Sequence, residues 1–313
     1  MMPLQPAVPR LVLPLLCALL CLRTQGDPGR VSGSSEIAFP AAMPRIVVWA
    51  WEEPEDLRFA PPATTGVAYL AETLLLGTRQ SQPATNIPAI PPISILPRHQ
   101  PLAVAPGASV MAVVRVMTLP GFRDSDAMRA QTAAALAEVS HRPGLRALQI
   151  DFDATRSQRA FYAAVLHQLR PRMPAGMPLS ITALVSWCAA APGGGDWISQ
   201  LPIDEAVPMF FRMGGKTRPG DNKSGYPLRE PLCRASIGIS TDESWPGIRP
   251  GQRIYVFAPG PWTRAQLVAL DGIPSGRRAP ALSTQISLRA INDSGLPNRP
   301  ASEEYDSSEQ NLP

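Results

Sequence analysis

Two aspartates two residues apart, Asp151 and Asp153 in LQIDFD, are the pair whose types and spacing best suit chemistry. Side chains alternate along a strand, so these two share a face while Phe152 points the other way. Two carboxylates on one face repel, and one of them holds its proton above the usual range, as general acid–base work requires. The competing role is structural: a strand-end aspartate that caps the next helix, with Ser157 in reach of Asp153. Other acids occupy comparable places. Glu53 shares a face with Trp49 and Trp51, whereas Glu52 does not, and Pro54 marks both as the start of a loop. Asp242 and Glu243 follow ASIGIS, with Trp245 close by. Arg212, near the end of AVPMFFRM, suits three roles: charge partner to an inward carboxylate, substrate clamp, or surface arginine. Trp49, Trp51, Trp187, Trp245 and Trp262 all fall at or just after apolar runs. An indole face stacks on a sugar ring and equally fills a core. The clustering makes Trp49, Trp51 and Trp187 candidate substrate-binding residues.

These positions need a scaffold that gathers strand ends. Eight apolar runs recur along the chain: residues 45–51, 66–71, 109–117, 147–153, 179–187, 206–213, 235–240 and 253–257. Continuous runs, rather than alternation, mark strands buried on both faces, as in parallel sheets. Residues 124–141 have helical spacing, with Met128, Thr132, Leu136 and Val139 on one face. Ser125 or Asp124 is placed to cap that helix, and Pro143-Gly144 ends it. Residues 157–170 align Phe161, Val165 and Leu169 before Pro171 stops them. Residues 195–200 suit a short helix and 263–271 a last one. Alternating strands and helices predict the α/β class and a (β/α)8 TIM-like barrel, whose active sites gather at the C-terminal strand ends. Residues 73–106 are proline-rich without helical period, which predicts an irregular excursion, extended or hairpin, between strands two and three. An open doubly wound sheet competes, but no glycine-rich turn follows the first strand.

Composition sets the class. The chain has 313 residues, 45% hydrophobic, which excludes wholesale disorder and supports a sizeable core. Only 17% are charged, and a net charge of +4 gives no case for nucleic-acid binding, which calls for a clustered basic face. Residues 11–22, LVLPLLCALLCL, follow Arg10. A membrane-spanning helix needs about 20 apolar residues, so this shorter run reads as a secretory signal peptide. Thr24 and Gly26 supply small residues for cleavage near Gly26. Lipid anchoring at Cys21 competes, but Leu20 stands where a small residue is needed. The organisation is thus residues 1–26 signal peptide, 27–40 linker, 41–290 barrel and 291–313 disordered tail, in a protein exported to the periplasm or beyond. Loss of the leader removes Cys17 and Cys21. It leaves Cys188 and Cys233, which form either a disulfide or two separately buried thiols in an oxidising compartment. His99, His141 and His167 are scattered without HxxxH spacing, so neither a metal site nor a cofactor is expected.

Four stretches carry a family likeness: WAW at 49–51, LPRHQPL at 96–102, LQIDFD at 148–153 and LSITALVSW at 179–187. Together they resemble an uncharacterised bacterial family, domain of unknown function 3142. The resemblance implies a TIM barrel related to glycoside hydrolases and brings no activity with it. DFD also resembles the DxDxE signature of chitinase-like glycosidases, with Asp151 and Asp153 on its two aspartates. The acid of that signature falls at Thr155, so any acid must come from another strand. The expectation is an exported glycosidase-like barrel acting on a polysaccharide or glycan, Asp153 a catalytic carboxylate tuned by Asp151, with Glu53 or Asp242 as partner. A non-catalytic carbohydrate-binding barrel is the alternative.

Overall fold

A computed structural model describes residues 43–77, 92–189, 197–211 and 228–271. The leader, the linker up to residue 40, the tail and Arg212 lie outside the described residues. The elements are β1 (Ile46–Ala50), β2 (Glu55–Leu57), β3 (Thr65–Leu76), β4 (Ile93–Pro97), β5 (Leu102–Val104) and β6 (Val110–Thr118). There follow α1 (Asp126–Ser140), β7 (Leu145–Asp151), α2 (Arg159–Leu169), β8 (Leu179–Leu184) and α3 (Val185–Cys188). The chain continues with β9 (Glu205–Met209), β10 (Ser236–Ser240), β11 (Arg253–Phe257) and α4 (Arg264–Asp271).

Eight of these strands close into a parallel barrel in the order β1, β3, β6, β7, β8, β9, β10, β11. Closure is explicit, because β1 pairs in parallel with both β3 and β11. An open doubly wound sheet is therefore excluded. Apolar runs form these strands because both faces are buried. Val47, Trp49, Ala68, Met111, Val113, Ala147, Val207 and Tyr255 pack together inside the barrel. Intervening residues such as Val48, Ile150, Ile239 and Val256 pack outward under the surrounding layer. Gly238 belongs to the inner face. A Cβ there would approach the Trp49 ring at 3.2 Å, so glycine makes room for the indole.

The helical layer is sparser than the (β/α)8 expectation. The helix α1 begins at Ser125, whose hydroxyl accepts from the Met128 backbone at 3.2 Å, and buries Met128, Thr132, Leu136 and Val139. The helix α2 buries Phe161, Tyr162, Val165, Leu166 and Leu169. Among the described residues after β8 the one α-helix before β9 is the one-turn α3, and residues 241–252 after β10 contain no helix. The cause is local: Pro246, Gly247, Pro250 and Gly251 interrupt that segment. Other elements cover the gaps. The strand β4 folds back antiparallel on β3, so the excursion carries a hairpin-like pairing. The strands β2 and β5 form a small parallel pair beside the barrel. Cys188 and Cys233 form a disulfide with Cα atoms 5.8 Å apart, and both are fully buried. That bridge ties α3 to the 3-10 turn Pro231–Cys233, which buries Leu232 and Cys233.

Candidate functional site

The barrel interior is polar at its base, mixed in the middle and polar again at its mouth. At the base Glu205, fully buried at the start of β9, accepts from Arg253 at 3.0 Å, Ser180 at 3.0 Å and Tyr255 at 2.6 Å. Beside that carboxylate, burial pushes the Tyr255 phenol well above its usual range. Gln149 continues the network upward: it donates to Ser180 at 3.1 Å and accepts from the Trp49 indole at 2.9 Å. Glu205 is thus met by three donors, the arrangement a buried charge requires.

At the mouth, Asp151 is the last residue of β7 and sits in register with Arg115 of β6. Its Oδ1 accepts from Thr182 of β8 at 2.7 Å. The carboxyl keeps partial access to solvent, yet the protein crowds it enough to raise its pKa from 3.8 to about 6, desolvation being the main cause. The Thr182 hydrogen bond and the Arg115 charge oppose that rise, and the Asp153 charge adds to it. Phe152 points into the outer core against Phe161 and Tyr162, so the expected alternation holds through this position. Asp153 lies beyond the strand and is exposed, in a tight turn where the Ala154 amide donates to the Phe152 carbonyl at 2.7 Å. Desolvation raises its pKa as well, and Arg115 pulls it back. Arg115 therefore faces both aspartates electrostatically. It also lies 5.7 Å from the Trp51 ring centroid and 3.7 Å from a Glu52 oxygen.

The second acid near this centre is Glu52 rather than Glu53. The strand β1 ends at Ala50 and the chain bends, so alternation no longer predicts which side chain turns inward. Glu53 is exposed, and its backbone carbonyl accepts from Arg98 at 2.5 Å. Asp242 is exposed beyond β10 and accepts from the Ser240 hydroxyl. Thr155, not Asp153, organises the turn before α2: its amide donates to Gln158 Oε1 at 2.8 Å and its hydroxyl pairs with that of Ser157 at 3.1 Å.

The tryptophans divide. Trp51 is half-buried at the mouth, above Trp49. Trp49 is 4% exposed and serves as interior packing. Trp187 is 2% exposed and sits in the outer core, 5.0 Å from Trp197. The strand β8 stops at Leu184, and α3 carries Trp187 away from the mouth. Trp262 is buried and donates to the Trp49 carbonyl at 2.8 Å, while Trp245 donates to the Ser240 carbonyl at 2.6 Å. Neither Trp49 nor Trp187 offers a face to a ligand. The half-buried pair Phe211 and Phe257 does more at this end, stacked with centroids 5.6 Å apart and planes 3° apart.

Arg115 and Thr182 were missed by sequence reasoning, which weighed Glu52 but placed Glu53 on the face of Trp49 and Trp51. The usable signal was Arg115, a lone charge inside the apolar run SVMAVVRVM, which a strand buried on both faces admits only where a partner or solvent meets it. Among the described residues no group of three or more His, Cys, Asp or Glu is arranged to hold a metal ion.

A family model described as "Domain of unknown function (DUF3142)" matches residues 106–193. The matched span runs from just before β6 through α3, and so contains Arg115, Asp151, Asp153 and Thr182, while Trp51 and Glu52 fall outside it. No curated protein and no solved structure matches the chain. No helix among the described residues is long and apolar enough to cross a membrane.

Proposed function

We propose that this chain is an exported, glycoside-hydrolase-like barrel that cleaves a polysaccharide or glycan through carboxylate acid–base chemistry at the barrel mouth. One observation carries the reading: Asp151 holds its proton to about pH 6 beside a second carboxylate, Asp153, at the C-terminal strand ends. Carboxyls whose environments push their proton affinities apart are the general requirement for dividing acid and base roles. In this reading Asp151 donates the proton to the leaving oxygen, and Asp153 is the second carboxylate of the pair. Arg115 keeps the second charge affordable, and Trp51 supplies an indole face for a sugar ring. Glu52 replaces Glu53 as the partner acid from β1, and Asp242 stands further out at β10. Export rests on the leader at residues 1–26, and the Cys188–Cys233 bridge suits an oxidising compartment.

The second reading, a carbohydrate-binding barrel without catalysis, is favoured by Thr155. The position where the chitinase-like signature carries its acid is committed here to a turn with Ser157 and Gln158. A glycan array combined with a reducing-sugar release screen separates the two. The hydrolase reading expects release by the wild type, and loss of release with retained binding and folding in Asp153→Asn. Binding without release, unchanged in Asp153→Asn but weakened in Trp51→Ala, supports the second reading. No glycan bound or cleaved refutes both.

A further inference from the structure

The rim loop that carries Trp51 and Glu52 has an unusual anchor. Where β1 ends at Ala50, the backbone carbonyls of Ala50, Trp51 and Glu53 all accept from one side chain, Arg98. Nη1 donates to Ala50 at 3.4 Å and to Trp51, and Nη2 donates to Glu53 at 2.5 Å. Arg98 is itself fixed from the other side. Its Nε donates to the Gln100 carbonyl at 2.9 Å, and its amide donates to the carbonyl of Ala71 at 3.0 Å, where β3 changes register against β6. A planar guanidinium with five fixed donors can serve several carbonyls at once, which an ammonium cannot. The residue stands in LPRHQPL, a stretch the proposed chemistry does not use.

What the loop presents is otherwise weakly held. Glu52 reaches Arg115 at 3.7 Å with its side chain 64% exposed, and so exposed a pair orders little by itself. Trp51 meets Arg115 through its ring face at 5.7 Å. Below the loop, buried Glu55 accepts from the Trp262 amide at 3.1 Å; burial raises its pKa, and the Trp262 hydrogen bond and the Arg98 charge oppose that rise. The guanidinium thus sits between the hairpin strand β4 and the ends of β1 and β2.

We propose that Arg98 is the positioning residue of the site: by holding the rim carbonyls of Ala50, Trp51 and Glu53 it sets Trp51 and Glu52 against Arg115 at the barrel mouth. Its use in holding a sugar rests on the function proposed above, but the positioning itself does not. The test is fluorine NMR of the full chain labelled with 5-fluorotryptophan, Trp51 being assigned through Trp51→Phe. In Arg98→Lys, Arg98→Gln and Arg98→Ala the Trp51 resonance is expected to shift and broaden. Those of Trp187 and Trp197, in the outer core, are expected to hold. If Arg98→Ala does not fold, the lysine and glutamine variants decide. A Trp51 resonance unmoved in folded variants overturns the proposal. So does equal movement of all the resonances, or failure of all three variants to fold, since either marks Arg98 as a general structural residue. No glycan is needed, so absence of glycan binding would refute the proposed function and leave this result standing. For any glycan the wild type binds on the array, Arg98→Lys should weaken affinity about tenfold, with no further loss on adding Trp51→Ala. Additive losses would show that Arg98 does not act through Trp51.

Discussion

At Asp151 two groups oppose one another: the crowded protein disfavours the charge, while Thr182 and Arg115 favour it. The first wins, so the folded state binds this proton more tightly than the unfolded chain does. The stability linked to Asp151 is therefore fully present below about pH 4 and is lost as pH rises through about 6. Asp151→Asn removes that dependence while keeping an oxygen to accept from Thr182. Its thermal midpoint should exceed that of the wild type at pH 8, and the difference should close as pH falls to 4. A midpoint lower than wild type at pH 8 would mean the charge is stabilising. Arg115 gives the complementary case. Arg115→Met removes the cation that lowers both aspartates, so carboxyl NMR should show Asp151 titrating above about 6 and Asp153 moving upward with it. No movement, or a downward one, would show that Arg115 does not face them. Asp151 was legible in LQIDFD as an acid at the end of an apolar run; Asp153 lies past the strand, and there a tight turn rather than strand alternation sets its place. Glu52 and Trp187 were not, because both lie past a strand end, where a bend or a helical turn sets direction.

At the scale of elements, continuous apolar runs announced all eight barrel strands, since burial on both faces leaves little room for polar residues. Helical spacing likewise announced α1 and α2. The sequence was less informative about what covers the remaining faces, because loops and bridges have no period. The Cys188–Cys233 bridge is the clearest such cover, closing a sequence separation of 45 residues. Loop-closure entropy for that length suggests roughly 2–4 kcal/mol of stabilisation. Cys188→Ser with Cys233→Ser should lower the denaturation midpoint accordingly, and the wild type under reducing conditions should follow the double variant. An unchanged midpoint would show that packing around Trp187 and Leu232 holds this side without the bond.

The whole barrel depends on what fills it. Its base is closed by Glu205 and Arg253, whose side chains are 0% and 12% exposed. Removing one partner of such a pair leaves a buried charge, at a cost of about 3–5 kcal/mol. Glu205→Gln should therefore destabilise the molecule strongly, and adding Arg253→Met should recover part of the loss. Calorimetry of the single and double variants checks this; equal destabilisation by both would show that the rest of the network, Ser180 and Tyr255, matters more than the charge. With the base sealed by polar contacts, chemistry is left to the mouth. The most direct test of that claim is the pH profile of reducing-sugar release from a glycan found by screening. With Asp151 as the acid, activity should fall as pH rises past about 6, and Asp151→Asn should reduce kcat/KM by roughly 10²–10⁴-fold while remaining folded. Full activity in Asp151→Asn with the same pH profile would contradict the account.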